Sequence, residues 1–86
     1  MARLLKSNGE ILPNVSIDTL KKMQDLVDGY IEFVYLSPSK GLVLIVNDEG
    51  AIKELPINVQ ASVIAGQPLF GDIVEVPVDE FQSLEN

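Results

Sequence analysis

The sequence predicts an α+β domain: a mostly antiparallel sheet of five or six strands, one main helix packed on one face, and a short second helix at an edge. Two observations predict this. Several short runs rich in branched and aromatic residues are separated by turn-forming Gly, Pro, Asn and Ser, which is typical of antiparallel strands. One longer segment, residues 17–28, instead has apolar residues at helical spacing.

Composition excludes several classes of function. Residues 1–86 are the length of one small domain. The chain has no Cys and no His, so it forms no disulfide and carries no Ser-His or Cys-His triad, and most zinc sites are excluded. We therefore expect no metal and no cofactor. A net charge of −7 repels phosphate backbones, which predicts no direct nucleic-acid binding.

Hydropathy gives two further expectations. No apolar run is long enough to span a bilayer, and the N-terminus lacks a signal-peptide core, so we expect a cytoplasmic protein with no membrane contact. The hydrophobic content of 47% and mean hydropathy of +0.23 are high for a small monomer. We therefore predict a homo-oligomer that buries the surplus apolar surface between subunits.

The N-terminal segment predicts a hairpin. Residues 2–6 form its first strand, Asn8-Gly9 its turn, and Ile11-Leu12 its return strand. Pro13 ends the hairpin because it lacks a backbone donor.

The main helix is predicted from residue 17 to residue 28. Ser16 is its expected N-cap, Val15 packs against Leu20 as a hydrophobic staple, and Gly29 ends it in the left-handed conformation. The expected buried stripe consists of Ile17, Leu20, Met23, Leu26 and Val27.

Two strands joined by a loop follow the helix. Residues 30–36 are rich in aromatic and β-branched types, and residues 37–41 form the loop. Residues 42–46 are apolar throughout, which predicts a strand buried on both faces at the centre of the sheet. Asn47 suits an Asx-turn and Gly50 a positive-φ position, so we expect a hairpin that returns as a strand over residues 51–55.

The rest of the chain predicts three elements. Asn58 is the expected N-cap of a short helix over residues 59–65, which Gly66 ends. Residues 73–76 form a final strand. Residues 78–86 are an acidic tail that forms one amphipathic turn or stays frayed.

Few residues suggest catalysis. Glu32 is the one charge in its strand and is a candidate general acid if buried, although a strand side chain that points to water explains it better. The acids of residues 47–50 lack the spacing of a calcium loop and indicate a plain turn. The aromatic residues have strand spacing and are expected in the core.

Four motifs in order resemble a known family. They are G-Y-I-E at residues 29–32, N-x-E-G at 47–50, L-P-x-N at 55–58, and G-D at 71–72. Together they resemble a family of small bacteriophage and actinobacterial proteins classed as a domain of unknown function. The likeness spans residues 20–76, and Asp28 departs from it, standing where a second Gly is expected.

The resemblance implies a phage or prophage setting, in which small proteins without catalytic residues act by occupying a target. It predicts a non-enzymatic, homo-oligomeric protein that sequesters a small host ligand, such as a nucleotide-derived immune signal, between subunits in the host cytoplasm. The expected ligand-binding residues are Asn47, Glu49, Lys53, Asn58 and Asp72. Lys53 or Lys40 would offset phosphate charge.

Two alternatives stay open at this point. The first is an inhibitor that binds a host protein through an acidic surface or an exposed sheet edge. The second is a small enzyme that acts through Glu32 or Asp72.

Overall fold

The computed structural model describes residues 1–84 and has the predicted α+β fold. Five strands pair antiparallel throughout, in the order β2-β1-β5-β4-β3. The strands are β1 (Arg3–Leu5), β2 (Ile11–Leu12), β3 (Ile31–Tyr35), β4 (Leu42–Asn47) and β5 (Ile73–Pro77). The helices are α1 (Leu20–Val27), α2 (Val59–Ala65) and α3 (Val78–Leu84), and a 3₁₀ turn covers Pro38–Lys40.

The sheet separates two apolar cores because side chains alternate along its inner strands. In β4, Val43 and Ile45 point to one face, where α1 and α3 pack. Leu44 and Val46 point to the other face and contact α2 through Ala61. The strand is therefore buried on both faces, as predicted. The short second helix covers a face of the sheet and not its edge, which corrects the expected placement.

The central strand is β5, which corrects the prediction that residues 42–46 hold this place. It pairs with β1 on one side and with β4 on the other. Its one charged side chain, Glu75, is only 8% exposed and accepts both Arg3 Nη2 at 2.7 Å and Arg3 Nε at 2.9 Å.

α1 is shorter than predicted. Its N-cap is Thr19, whose Oγ1 accepts a hydrogen bond from Lys22 N at 3.2 Å, and not Ser16. Ile17 is buried ahead of the helix, whereas Leu20 at its first position is 56% exposed. The predicted staple and the Leu20 part of the buried stripe are therefore wrong.

Residues 51–54 form a turn and residue 55 is irregular, so the predicted return strand is absent. β4 already has β3 on one side and β5 on the other, so no edge is left for a hairpin partner. Ile52, an expected strand residue, is 80% exposed.

The tail takes the helical alternative through Leu84 as α3, and residues 85 and 86 lie outside the described part of the chain. Phe81 is buried and makes edge-to-face ring contacts with Phe33 at 4.9 Å and with Tyr35 at 6.0 Å. Tyr30 and Tyr35 are exposed at 69% and 66%, so the expectation that the aromatic residues all lie in the core is wrong for these two.

Candidate ligand-binding cleft

A cleft of about 320 Å³ lies where α1 ends and the 49–53 turn passes beside it. We call it the α1 cleft. It is lined by Gln24, Asp25, Asp28, Gly29, Tyr30, Glu49 and Lys53. Two of the five residues selected from the sequence, Glu49 and Lys53, therefore face one space.

The α1 side of the cleft is shaped by how the helix ends. Asp28, and not Gly29, takes the left-handed conformation, with φ 60°, and its N–H donates to Gln24 O. Gly29 N also donates to Gln24 O, at 3.1 Å. The chain then turns into β3 and leaves the Tyr30 ring exposed over the cleft.

The opposite side is a single helical turn that follows β4. Asn47 Oδ1 accepts Glu49 N at 2.8 Å, which is the Asx-turn predicted from the sequence. Lys53 N then donates to Glu49 O at 2.8 Å. Because residues four apart on a helical turn share a face, Glu49 and Lys53 both reach the cleft. Gly50 does not have the predicted positive φ.

Asn47 joins the two sides. Its Nδ2 donates to Val27 O and to Asp28 O, both at 3.1 Å, so the amide satisfies carbonyls that the end of α1 leaves free. A Cβ on Gly29 would lie 2.7 Å from this nitrogen, so only Gly permits the contact. Asn47 is 5% exposed and is already fully engaged, which gives it a structural role.

The charged groups of the cleft are far less engaged. The side chains of Asp28, Glu49 and Lys53 make no hydrogen bond or ion pair with any other residue in the described range 1–84. Asp25 pairs with Lys21 at 2.8 Å on the exposed surface. The cleft thus presents three carboxylates and one ammonium group.

Asn58 lies elsewhere, in the core beneath α2. Its Oδ1 accepts Ala61 N at 3.0 Å, which confirms the predicted N-cap. Its Nδ2 donates to Leu5 O at 2.7 Å and to Gly71 O at 2.9 Å. With 0% exposure, this side chain is not presented to solvent.

Asp72 and Lys40 also lie outside the α1 cleft. Asp72 Oδ1 accepts Ser7 N at 2.9 Å, beside a smaller cleft of about 160 Å³ that shares only Asp28 with the α1 cleft. Lys40 Nζ donates to Ile64 O at the end of α2. The structure therefore brings Glu49 and Lys53 together in the α1 cleft, and Asn47 stabilises the turn that carries them. Asn58, Asp72 and Lys40 lie outside this cleft.

Comparison with known proteins places the chain in one family. The family model described as "Domain of unknown function (DUF3846)" matches residues 1–86. The chain belongs to this family. The sequence-based prediction of a domain of unknown function is confirmed at that level. No curated protein and no solved structure gives a significant match.

For this member of the family, sequence reasoning missed the α1 half of the cleft. Helical spacing puts Gln24, Asp25 and Asp28 on the face opposite the predicted buried stripe, which is typical of a solvated face, and Tyr30 is among the aromatic residues expected in the core. One signal pointed to the site: Asp28 departs from the glycine pair expected at the helix end, and it is this residue that takes the left-handed conformation.

Within residues 1–84, no group of three or more acidic side chains has the geometry of a metal site. No described helix has the length and apolarity needed to cross a bilayer. Glu32 is exposed on β3, as expected for a strand residue that points to water.

Proposed function

We propose that this protein is a non-enzymatic binding protein of a phage or prophage that sequesters a small host ligand in the α1 cleft. One observation carries the proposal: Glu49, Lys53 and Asp28 converge on one cleft with an exposed tyrosine, and none of the three has a partner among the described residues. Charged groups without a hydrogen-bond or ion-pair partner in the fold are available for recognition.

The lining favours a ligand of mixed chemistry. Carboxylates such as Glu49 and Asp28 accept hydrogen bonds from sugar hydroxyls, as acidic residues do in dinucleotide-binding folds. The exposed ring of Tyr30 offers a stacking surface for a planar base. Lys53 is the one cation of the cleft, so it matches a single phosphate group. A nucleotide-derived signal that puts one phosphate group in each cleft fits this set.

The size of the cleft supports an oligomer. A volume of about 320 Å³ stands at the lower end of the range typical of small-molecule sites. A nucleoside-sized group fills it, so a second copy of the chain would cover the exposed part of a larger ligand. We therefore include homo-oligomerisation in the proposal.

The first test asks what the protein carries when it is purified from the cell that produces it. We expect denaturation to release a small molecule that mass spectrometry identifies as a nucleotide derivative. Thermal-shift and calorimetric titration with AMP, ADP-ribose and cyclic dinucleotides then gives its affinity. No released molecule together with no shift for any of these ligands would overturn the proposal.

The second test compares matched variants. Lys53→Gln should weaken nucleotide binding at least about tenfold, since a charge-assisted bond to phosphate contributes about 1.5–3 kcal/mol. Lys22→Gln is the control because Lys22 pairs with Asp18 on the outer surface at 3.0 Å. It makes the same change in net charge outside the cleft.

The stacking role of Tyr30 has an equally close control. Tyr30→Ala should weaken binding about fivefold or more. Tyr35→Ala removes a ring of similar exposure outside the cleft and should leave affinity unchanged. Equal effects of the two tyrosine variants would show that the ligand lies somewhere other than the α1 cleft.

A further inference from the structure

β3 is an open edge of the sheet. In the described range 1–84 it pairs only with β4, in an unbroken register from Ile31↔Asn47 to Tyr35↔Val43. Open edges in soluble proteins are usually shortened, interrupted by Pro or bulges, or charged with Lys. β3 has five residues with no Pro, Lys or bulge.

The opposite edge shows the contrast. β2 has only two residues, Ile11 and Leu12, and Pro13 follows directly. This edge cannot extend a ladder. The fold thus blocks one edge of its sheet and leaves the other available.

The direction of the free backbone groups follows from the register. Asp48 N donates to Tyr30 O, so residues 30 and 48 form a hydrogen-bonded pair. Because such pairs alternate along an antiparallel ladder, Glu32 and Val34 also bond toward β4. The N–H and C=O groups of Ile31, Phe33 and Tyr35 therefore point outward from the edge.

A groove lies beside this edge on the α2 face. It has a volume of about 250 Å³ and runs between β3 and the 67–70 segment. Val34 and Leu69 contribute apolar walls, while Glu32 and Asp48 lie at its polar side. Neither carboxylate has a hydrogen bond or an ion pair within the described residues.

We propose that β3 binds an extended basic segment of a partner protein, which adds a sixth strand and places a Lys or Arg side chain in the groove at Glu32 and Asp48. Strand addition supplies backbone hydrogen bonds, and pockets for alternate side chains supply specificity. In the added strand, the side chain that lies opposite Glu32 points to the same face of the sheet as Glu32, toward the groove.

Charge complementarity selects this occupant over a second copy of the chain. A second copy would present only the side chains of its own β3, which carries Glu32 and no Lys or Arg, so it brings no cation to this edge. An antiparallel two-fold pairing centred on Phe33 would also set Glu32 opposite Val34 of the other copy and gain no ion pair. A basic segment instead neutralises two unpaired carboxylates.

The experiment uses a capped nine-residue peptide of alternating valine and lysine, with a glutamate-for-lysine counterpart as control. Fluorescence anisotropy should show binding of the basic peptide that weakens with salt, and no binding of the acidic one. Amide shifts in NMR spectra should concentrate at Ile31, Phe33 and Tyr35. Equal affinity for the two peptides, absence of binding, or shifts away from β3 would overturn the proposal.

Variants test strand addition and charge recognition separately. Tyr35→Pro removes one outward N–H at an exposed edge position that tolerates proline, and it should abolish binding. Tyr35→Thr loses the same ring and keeps the N–H, so it should bind like the parent. Glu32→Gln should weaken the basic peptide about twofold to fivefold.

Two outcomes would count against the inference. Equal binding by the proline and threonine variants would exclude strand addition. A concentration-dependent dimer that Tyr35→Pro dissociates would assign the edge to a second copy. None of these results depends on the α1 cleft, since Lys53→Gln should leave peptide binding unchanged.

Discussion

Asn47 and Asn58 each satisfy the unpaired backbone groups of a helix end, but they differ in depth and reach. Asn58 caps the start of α2 and is 0% exposed, with bonds that extend to Leu5 and Gly71. Asn47 donates to the carbonyls at the end of α1 and is 5% exposed, at the side of the groove beside β3. Asn58 therefore holds distant parts of the fold together, while Asn47 shapes a local surface.

This difference separates support from recognition. A buried amide whose N–H groups and oxygen already bond to the backbone is not presented to a ligand. The turn that Asn47 stabilises instead carries Glu49 and Lys53, whose charged groups make no hydrogen bond or ion pair with other described residues. The binding role predicted for Asn58 stays a prediction, and the geometry gives that residue a structural role.

The largest effect should come from Asn58→Ala. It takes one donor away from the buried carbonyls of Leu5 and Gly71, leaves the Ala61 N–H without its cap and creates a buried gap, so we expect a loss of about 3 kcal/mol in the free energy of unfolding. Urea denaturation measures this as a lower midpoint at unchanged slope.

Asn8→Ala is the matched control for this measurement. Asn8 also bonds through both side-chain atoms, to Glu10, but in an exposed turn. We expect it to cost less than about 0.5 kcal/mol. If Asn58→Ala cost no more than this control, water would be replacing the amide, and burial would not distinguish Asn58 from Asn47.

Asn47→Ala should have an intermediate effect of about 1–2 kcal/mol. The carbonyls of Val27 and Asp28 lose a donor, but water from the neighbouring cleft can partly replace it. Amide hydrogen exchange should rise at the end of α1 and over residues 49–53, with β1 and β5 unaffected. Faster exchange throughout the sheet would instead show that Asn47 supports the whole fold.

The sequence predicted those features that depend on neighbours in the chain. The Asx-turn at Asn47 and the cap at Asn58 were found because both use a backbone N–H two or three residues away. The all-apolar run of β4 predicted burial on both faces, since each face needs its own alternate residues.

What the sequence did not predict depends on strand order. Residues 51–55 have a strand-like pattern, but β5 already occupies the side of β4 that they would need. β5 comes late in the chain, and nothing local shows that it inserts between β1 and β4. The bonds of Asn58 to Leu5 and of Asn47 to Val27 span 53 and 20 residues and were invisible for the same reason.

The α1 half of the cleft was not predicted for a second reason. Helical spacing alone assigned Asp25 and Asp28 to solvent, and this was correct for their exposure. A solvated face becomes one wall of a cleft only when another segment passes beside it. Here the 49–53 turn does so, and its residues 51–53 were predicted as part of a strand that leads away.

The smallest effect on stability should come from the charges of the cleft. Glu49→Gln and Lys53→Gln should each change the free energy of unfolding by less than about 0.5 kcal/mol, because neither side chain has a partner to lose. The double variant keeps the net charge, so overall repulsion is unchanged, and the two single effects should add. Urea midpoints of the four proteins measure this directly. A non-additive loss of about 1 kcal/mol would mean that the two groups pair in solution. In that case Lys53, like Asn47, would stabilise the turn, and it would not be free to bind a ligand.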